Sequence, residues 1–269
     1  LPERGYWVIM QSDDELCVTD GNRTDPAILY SLHSGPNLIS FPSDGSVDLS
    51  SALPDDIEPF IIGVITEGSA SSQLAPGEWQ GSIAALSGGT GYWMIADQSV
   101  AFSFNLANLT RMKDDNMAGL TYPAKHVVYQ STQQAFYFIE SVEAIGSGDW
   151  ILAYHGDKLI GSREWNGTYT DVPIMGDDGY DYSKGYIKTG DIPQFKLLKN
   201  NKLISLTGDI SPFSNNQIYM LSNLRLMPEE YKLSPAYPNP FNPVTTLGFA
   251  IPEAVQVNIT IYDLQGRQV

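Results

Sequence analysis

The chain has few of the residues that most often carry chemistry. One cysteine, Cys17, in 269 residues excludes any disulfide within the chain. The three histidines, His33, His126 and His155, lie far apart and form no His-x-His or His-Glu-x-x-His spacing, so no local zinc-hydrolase site is encoded. Positive charge is scarce: 15 Lys and Arg stand against 31 Asp and Glu, a net charge of −16. Neutralising phosphates takes clustered Lys and Arg, so the balance argues against nucleic acid and against anionic lipid as partners. No apolar run approaches the roughly 18 residues of a membrane span. The densest, Phe60-Ile61-Ile62-Gly63-Val64-Ile65, is the size of one strand. No serine has glycines two positions away on both sides and no Gly-Lys pair occurs, which removes the nucleophile elbow and the Walker loop. With neither an initiator Met nor a signal peptide, the sequence reads as a piece of something longer.

What is present is apolar enough to form cores, at 42% hydrophobic residues, and rich in turns, with 24 glycines and 17 prolines. Gly5-Tyr6-Trp7-Val8-Ile9-Met10 returns as Gly91-Tyr92-Trp93-Met94-Ile95-Ala96, each copy followed by polar residues and a short apolar stretch. Read as a tandem duplication, the repeat divides the chain into the tail of one module over residues 1–26 and a complete module over 27–106; the plainer reading is two similar aromatic strands. Within the complete copy, Asn37 to Phe41, Phe60 to Thr66, Tyr92 to Ala96 and Val100 to Phe104 read as strands, β-branched or aromatic and bounded by turn formers. Asp48 to Leu53 and Ser82 to Ser87 are short enough for single helical turns, and Leu109 to Met117 for a modest helix.

Residues 107–227 read as a β-sandwich-like module. Alternation at Phe136 to Glu140, a hairpin from Trp150 through His155-Gly156-Asp157 to Ile160, and strands at Tyr186 to Lys188, Gln194 to Leu198, Lys202 to Leu206 and Ile218 to Leu221 give that pattern. Residues 228–243 are proline-dense and read as a stiff linker. Beyond it, Val255, Val257, Ile259 and Ile261 alternate with polar residues as a half-buried strand would. The expected fold is mainly β: tandem small sandwich-like modules, then a partial domain over 244–269.

Two constellations carry candidate chemistry. Gly176-Asp177-Asp178-Gly179-Tyr180-Asp181 places three carboxylates beside two turn-forming glycines. Calcium takes six to eight oxygens from a wrapping loop, so Asp177, Asp178 and Asp181 are candidate ligands, with Asp171 and Asp191 as contributors from neighbouring loops. A solvated acidic turn is the plainer reading of the same residues. Three tryptophans directly follow acids, in Glu78-Trp79, Asp149-Trp150 and Glu164-Trp165. Strand neighbours point to opposite faces, so the plain reading puts each Trp in a core and its acid in water. The functional reading is a sugar-stacking row of Trp79, Trp165, Tyr169 and Tyr182. A Ser-His-Asp site assembled from distant loops, with His33 or His155 as base, stays open because triads are spatial.

One motif goes further. Tyr237-Pro238-Asn239-Pro240-Phe241-Asn242-Pro243, then Ile251-Pro252, then Ile261-Tyr262-Asp263-Leu264-Gln265-Gly266-Arg267 occur in order. Residues 233–269 thereby resemble the C-terminal sorting domain of the type IX secretion system of Bacteroidota and related phyla. The resemblance implies a small immunoglobulin-like sandwich, the outer-membrane translocon as partner, and a secreted or cell-surface location. The sequence reaches only the first half of such a domain, so 244–269 is expected to need a pairing partner, either the preceding domain or a second chain. Three functions stay open: a non-catalytic module for adhesion or for polysaccharide or cell-surface glycan, a secreted glycosidase or esterase with a loop-built site, and a spacer for an upstream catalytic domain.

Overall fold

The computed structural model describes residues 4–6, 8, 24–111, 126–252, 255–263 and 265–268. The chain is mainly β, with antiparallel pairing predominating. Among the described residues no helix is long and apolar enough to cross a membrane.

The first module contains β1 (Tyr30–Leu32), β2 (Gly35–Ser40), β3 (Gly45–Asp48), the helical turn α1 (Leu49–Ala52), β4 (Ile61–Thr66), β5 (Ser69–Ala75), β6 (Glu78–Gly81), β7 (Ala85–Ser87), β8 (Gly91–Ala96), β9 (Val100–Phe102) and β10 (Thr110–Arg111). A five-stranded sheet, β2-β8-β4-β5-β6, lies with two small sheets, β10-β3-β7 and β1-β9. Tyr30, Phe41, Val47, Leu49, Val64, Leu86, Met94, Phe102 and Phe104 fill the core. Phe104 makes edge contacts with Tyr30, Phe41 and Phe102 at centroid distances of 5.1 to 5.2 Å.

Two helical expectations give way to strand here. Ala85–Ser87 is β7, because fully buried Leu86 pairs with Val47 of β3 and gains more from that sheet than from a lone turn. Thr110–Arg111 is β10, also paired with β3, while residues 112–117 lie outside the described residues. Of the first repeat copy, Trp7, Ile9 and Met10 lie outside them too, as does Cys17. Its start sits on β2: Arg4 bridges Ile39, and the Gly5 amide donates to the Leu38 carbonyl at 3.2 Å. The second copy, β8, pairs with β2 in register Ile39 to Tyr92.

The second module contains β11 (Gln134–Ile139), β12 (Trp150–His155), β13 (Lys158–Glu164), β14 (Thr170–Met175), β15 (Gln194–Lys199), β16 (Lys202–Thr207), β17 (Ile218–Leu221) and β18 (Arg225–Leu226). Sheet β14-β11-β17 faces sheet β13-β12-β15-β16-β18 across a core of Tyr137, Ile139, Ile151, Val172, Ile174, Phe195 and Leu197, among others. The expected β12–β13 hairpin forms, and β13 runs on to Glu164. The expected strand at Tyr186 to Lys188 is a single bridge from Ile187 to Gly176. Gly161 lets the sheets meet: a Cβ there would lie 2.0 Å from the Pro173 carbonyl oxygen of β14.

β11 joins the modules. Ala135, Tyr137 and Ile139 face their own core, whereas Phe136 and Phe138 pack with Ile65, Ala70 and Ile95 of the first module. Beside this apolar contact lies a buried ion pair. Arg163 Nη2 is 3.1 Å from Asp171 Oδ2 and donates to the Gly68 carbonyl at 2.7 Å, while Ser82 Oγ donates to Asp171 Oδ2 at 2.5 Å. Burial pushes the Asp171 carboxyl up, opposed by Arg163 and by the Ser82 and Ala70 donors.

The proline-dense stretch folds back on the residues beyond it. β19 (Lys232–Leu233) pairs with β20 (Phe249–Ala250), and Tyr237 bridges Thr246. Val255, Val257, Ile259 and Ile261 do not form the expected half-buried strand; they are 42% to 54% exposed and in no strand. Alternation supplies an apolar face, but among the described residues no neighbouring strand pairs with it, and burial needs both.

Candidate functional site

The acidic turn between β14 and β15 is organised around one carboxylate. Asp177 Oδ1 accepts the Gly179 amide at 3.0 Å, an Asx-type closure, and Gly179 has φ +88°, which a side chain would strain. Asp178 Oδ1 accepts Ser183 Oγ at 2.6 Å and the Tyr180 amide at 3.3 Å. Its Oδ2 accepts the Tyr182 hydroxyl at 2.6 Å and the amide and hydroxyl of Thr132 at 3.1 and 3.2 Å. One side chain thus ties the turn to the segment leading into β11. Partial burial raises the Asp178 carboxyl, but the donors from Ser183, Tyr182, Thr132 and Tyr180 outweigh it and hold it well below the usual carboxylate range.

That carboxylate also fixes aromatic rings. Tyr182 stacks on Tyr180 with centroids 5.8 Å apart and planes within 5°. Its hydroxyl is pushed up to about 12 by burial and by its bond to Asp178. Tyr186 is buried, and its hydroxyl accepts the Tyr129 amide at 3.1 Å and donates to the Tyr129 carbonyl at 3.2 Å. Tyr129 and Tyr180 are left 68% and 53% exposed at this end of the sandwich. Lys158 sits 5.4 Å from the Tyr186 ring centroid, and Lys188 lies 3.6 Å from Asp177. His155 Nε2 is 3.4 Å from Asp191 Oδ2, and its Nδ1 contacts the Gly185 carbonyl at 3.2 Å.

The four aromatics read as a sugar row fall in different places. Tyr182 is in the turn. Trp79, on β6, donates its indole N–H to Glu58 Oε1 at 2.7 Å and packs against the first core. Trp165 packs against the second core, and Tyr169, with φ +63°, against the cluster between modules. Glu78 and Glu164 point to water, as the plain reading of the acid–Trp pairs expects; Asp149 is buried and 2.9 Å from Lys199 Nζ. Tyr180 and Tyr129 are the rings the sequence reading missed. The Tyr180-Asp181-Tyr182 spacing was the available signal for the first, but nothing local marked the second.

Among the described residues no three or more His, Cys, Asp or Glu side chains converge as a metal-holding group. Asp191 faces His155, and Asp171 is at the module interface with Arg163. As bases, His33 and His155 both place Nδ1 against a backbone carbonyl, the former on Ser34 at 2.7 Å. Asp191 stands on the other ring nitrogen of His155. No protein-family model, curated protein or solved structure matches this chain.

Proposed function

We propose that this is a C-terminal region of a surface or secreted bacterial protein exported by the type IX system, and that its second sandwich binds glycan. Export rests on the ordered motif of residues 237–267. Binding rests on one observation: Asp178 holds a parallel tyrosine pair whose outer member, Tyr180, is 53% exposed. Tyrosine offers flat apolar area with a polar tip at low conformational cost, which suits a sugar ring bearing both C–H and O–H groups. The test is a glycan panel on the purified chain. Retention weakened about tenfold or more by Tyr180→Ala is the expected result. Retention of no glycan overturns it. Calcium at Asp177, Asp178 and Asp181 belongs to the same reading and is checked by thermal melts. A fall in Tm with chelator supports it, and an unchanged Tm removes it.

A further inference from the structure

Resting on the glycan reading above, we infer that the site at Tyr180 and Tyr182 takes a neutral saccharide and rejects polyanionic ones. Shape comes first. Tyr180 has one face stacked on Tyr182, which leaves its outer face as the flat surface on offer. Tyr182 is held by a 2.6 Å bond to Asp178, so the pair is ordered before a ligand arrives and little entropy is lost on binding. Aromatic faces are electron-rich, and they attract the weakly positive C–H groups of a pyranose rather than a carboxylate or sulfate.

Charge then selects the class. Four carboxylates, of Asp177, Asp178, Asp181 and Asp191, share this end with Lys158, Lys184 and Lys188. Two of those lysines are already engaged, Lys188 with Asp177 and Lys158 over the Tyr186 ring. An incoming polyanion meets repulsion from those carboxylates and finds little free cation at the rings to offset it. A neutral chain meets neither obstacle, and its hydroxyls can donate to Asp181, which is exposed beside the pair.

The experiment is affinity electrophoresis and calorimetry of the intact chain with soluble β-glucan and mannan, with alginate and heparin, and with chitosan oligomers, each at low and physiological salt. Neutral polymer is expected to bind with affinity unchanged by salt, and Tyr180→Ala to weaken it about tenfold or more with Tm unchanged. Asp178→Asn is expected to weaken it as well, by loosening Tyr182. Binding confined to alginate or heparin and lost with salt overturns the neutral class yet keeps a tyrosine glycan site, and binding to chitosan alone does the same. Retention of no polymer overturns both readings. Neutral binding untouched by Tyr180→Ala moves the site elsewhere and overturns this one.

Discussion

Five protein donors converge on the two oxygens of Asp178, so this residue is where substitution is most informative. Its folded pKa lies below the value of about 3.9 for a free aspartate. Such a group adds stability that is fully present above the unfolded value and is lost as pH falls towards the folded one. Asp178→Asn keeps the shape and removes the charge, at an expected cost of about 2 kcal/mol near neutrality. In melts followed downward from pH about 5, the gap between wild type and variant is expected to start narrowing near pH about 4 and to go on narrowing as pH falls towards the folded value. Alkaline absorbance titration gives a second readout. One phenol, Tyr182, should ionise at about 12 in the wild type and earlier in the variant. It should not return fully to the ordinary value, because burial is the larger of its causes.

Among the elements, β13 and β14 show how closely two sheets can approach. Gly161→Ala would put a methyl 2.0 Å from the Pro173 oxygen, and backbone cannot yield as a side-chain tip can. A loss of about 1–3 kcal/mol is expected, read as a lower denaturant midpoint with an unchanged slope. Elements differed in how openly the sequence announced them. β4, β8 and β12 carry dense aromatic and β-branched residues, and all three were legible. β5 was not: it is Ser-Ala-Ser-Ser at its start, and Ser71 and Ser72 are buried by donating to the Ile83 and Ile62 carbonyls rather than by being apolar. β14 was hidden by Pro173, which an edge strand tolerates because the missing amide need not face a neighbour. The site was half legible in the same way. Asp178 and Tyr182 stand four residues apart in the sequence, whereas Thr132 reaches Asp178 from 46 residues away and Tyr129 reaches Tyr186 from 57, a proximity only the fold creates.

At the scale of the molecule, the modules meet through a buried cluster and a buried ion pair rather than through a bare linker. Replacing one member of such a pair strands the other charge in low dielectric. Asp171→Ala is therefore expected to cost about 3–5 kcal/mol. Calorimetry tests the coupling. One transition shifted as a whole is expected, whereas a second transition appearing at the old temperature would show that the modules melt independently.

β11 presents alternate side chains to two different interiors. A pull on the proline-dense end enters at β18, which pairs with β16, and passes through β17 before it reaches β11, the parallel neighbour of β17. Two outer strands thus stand between that load and the one ribbon whose side chains both interiors share.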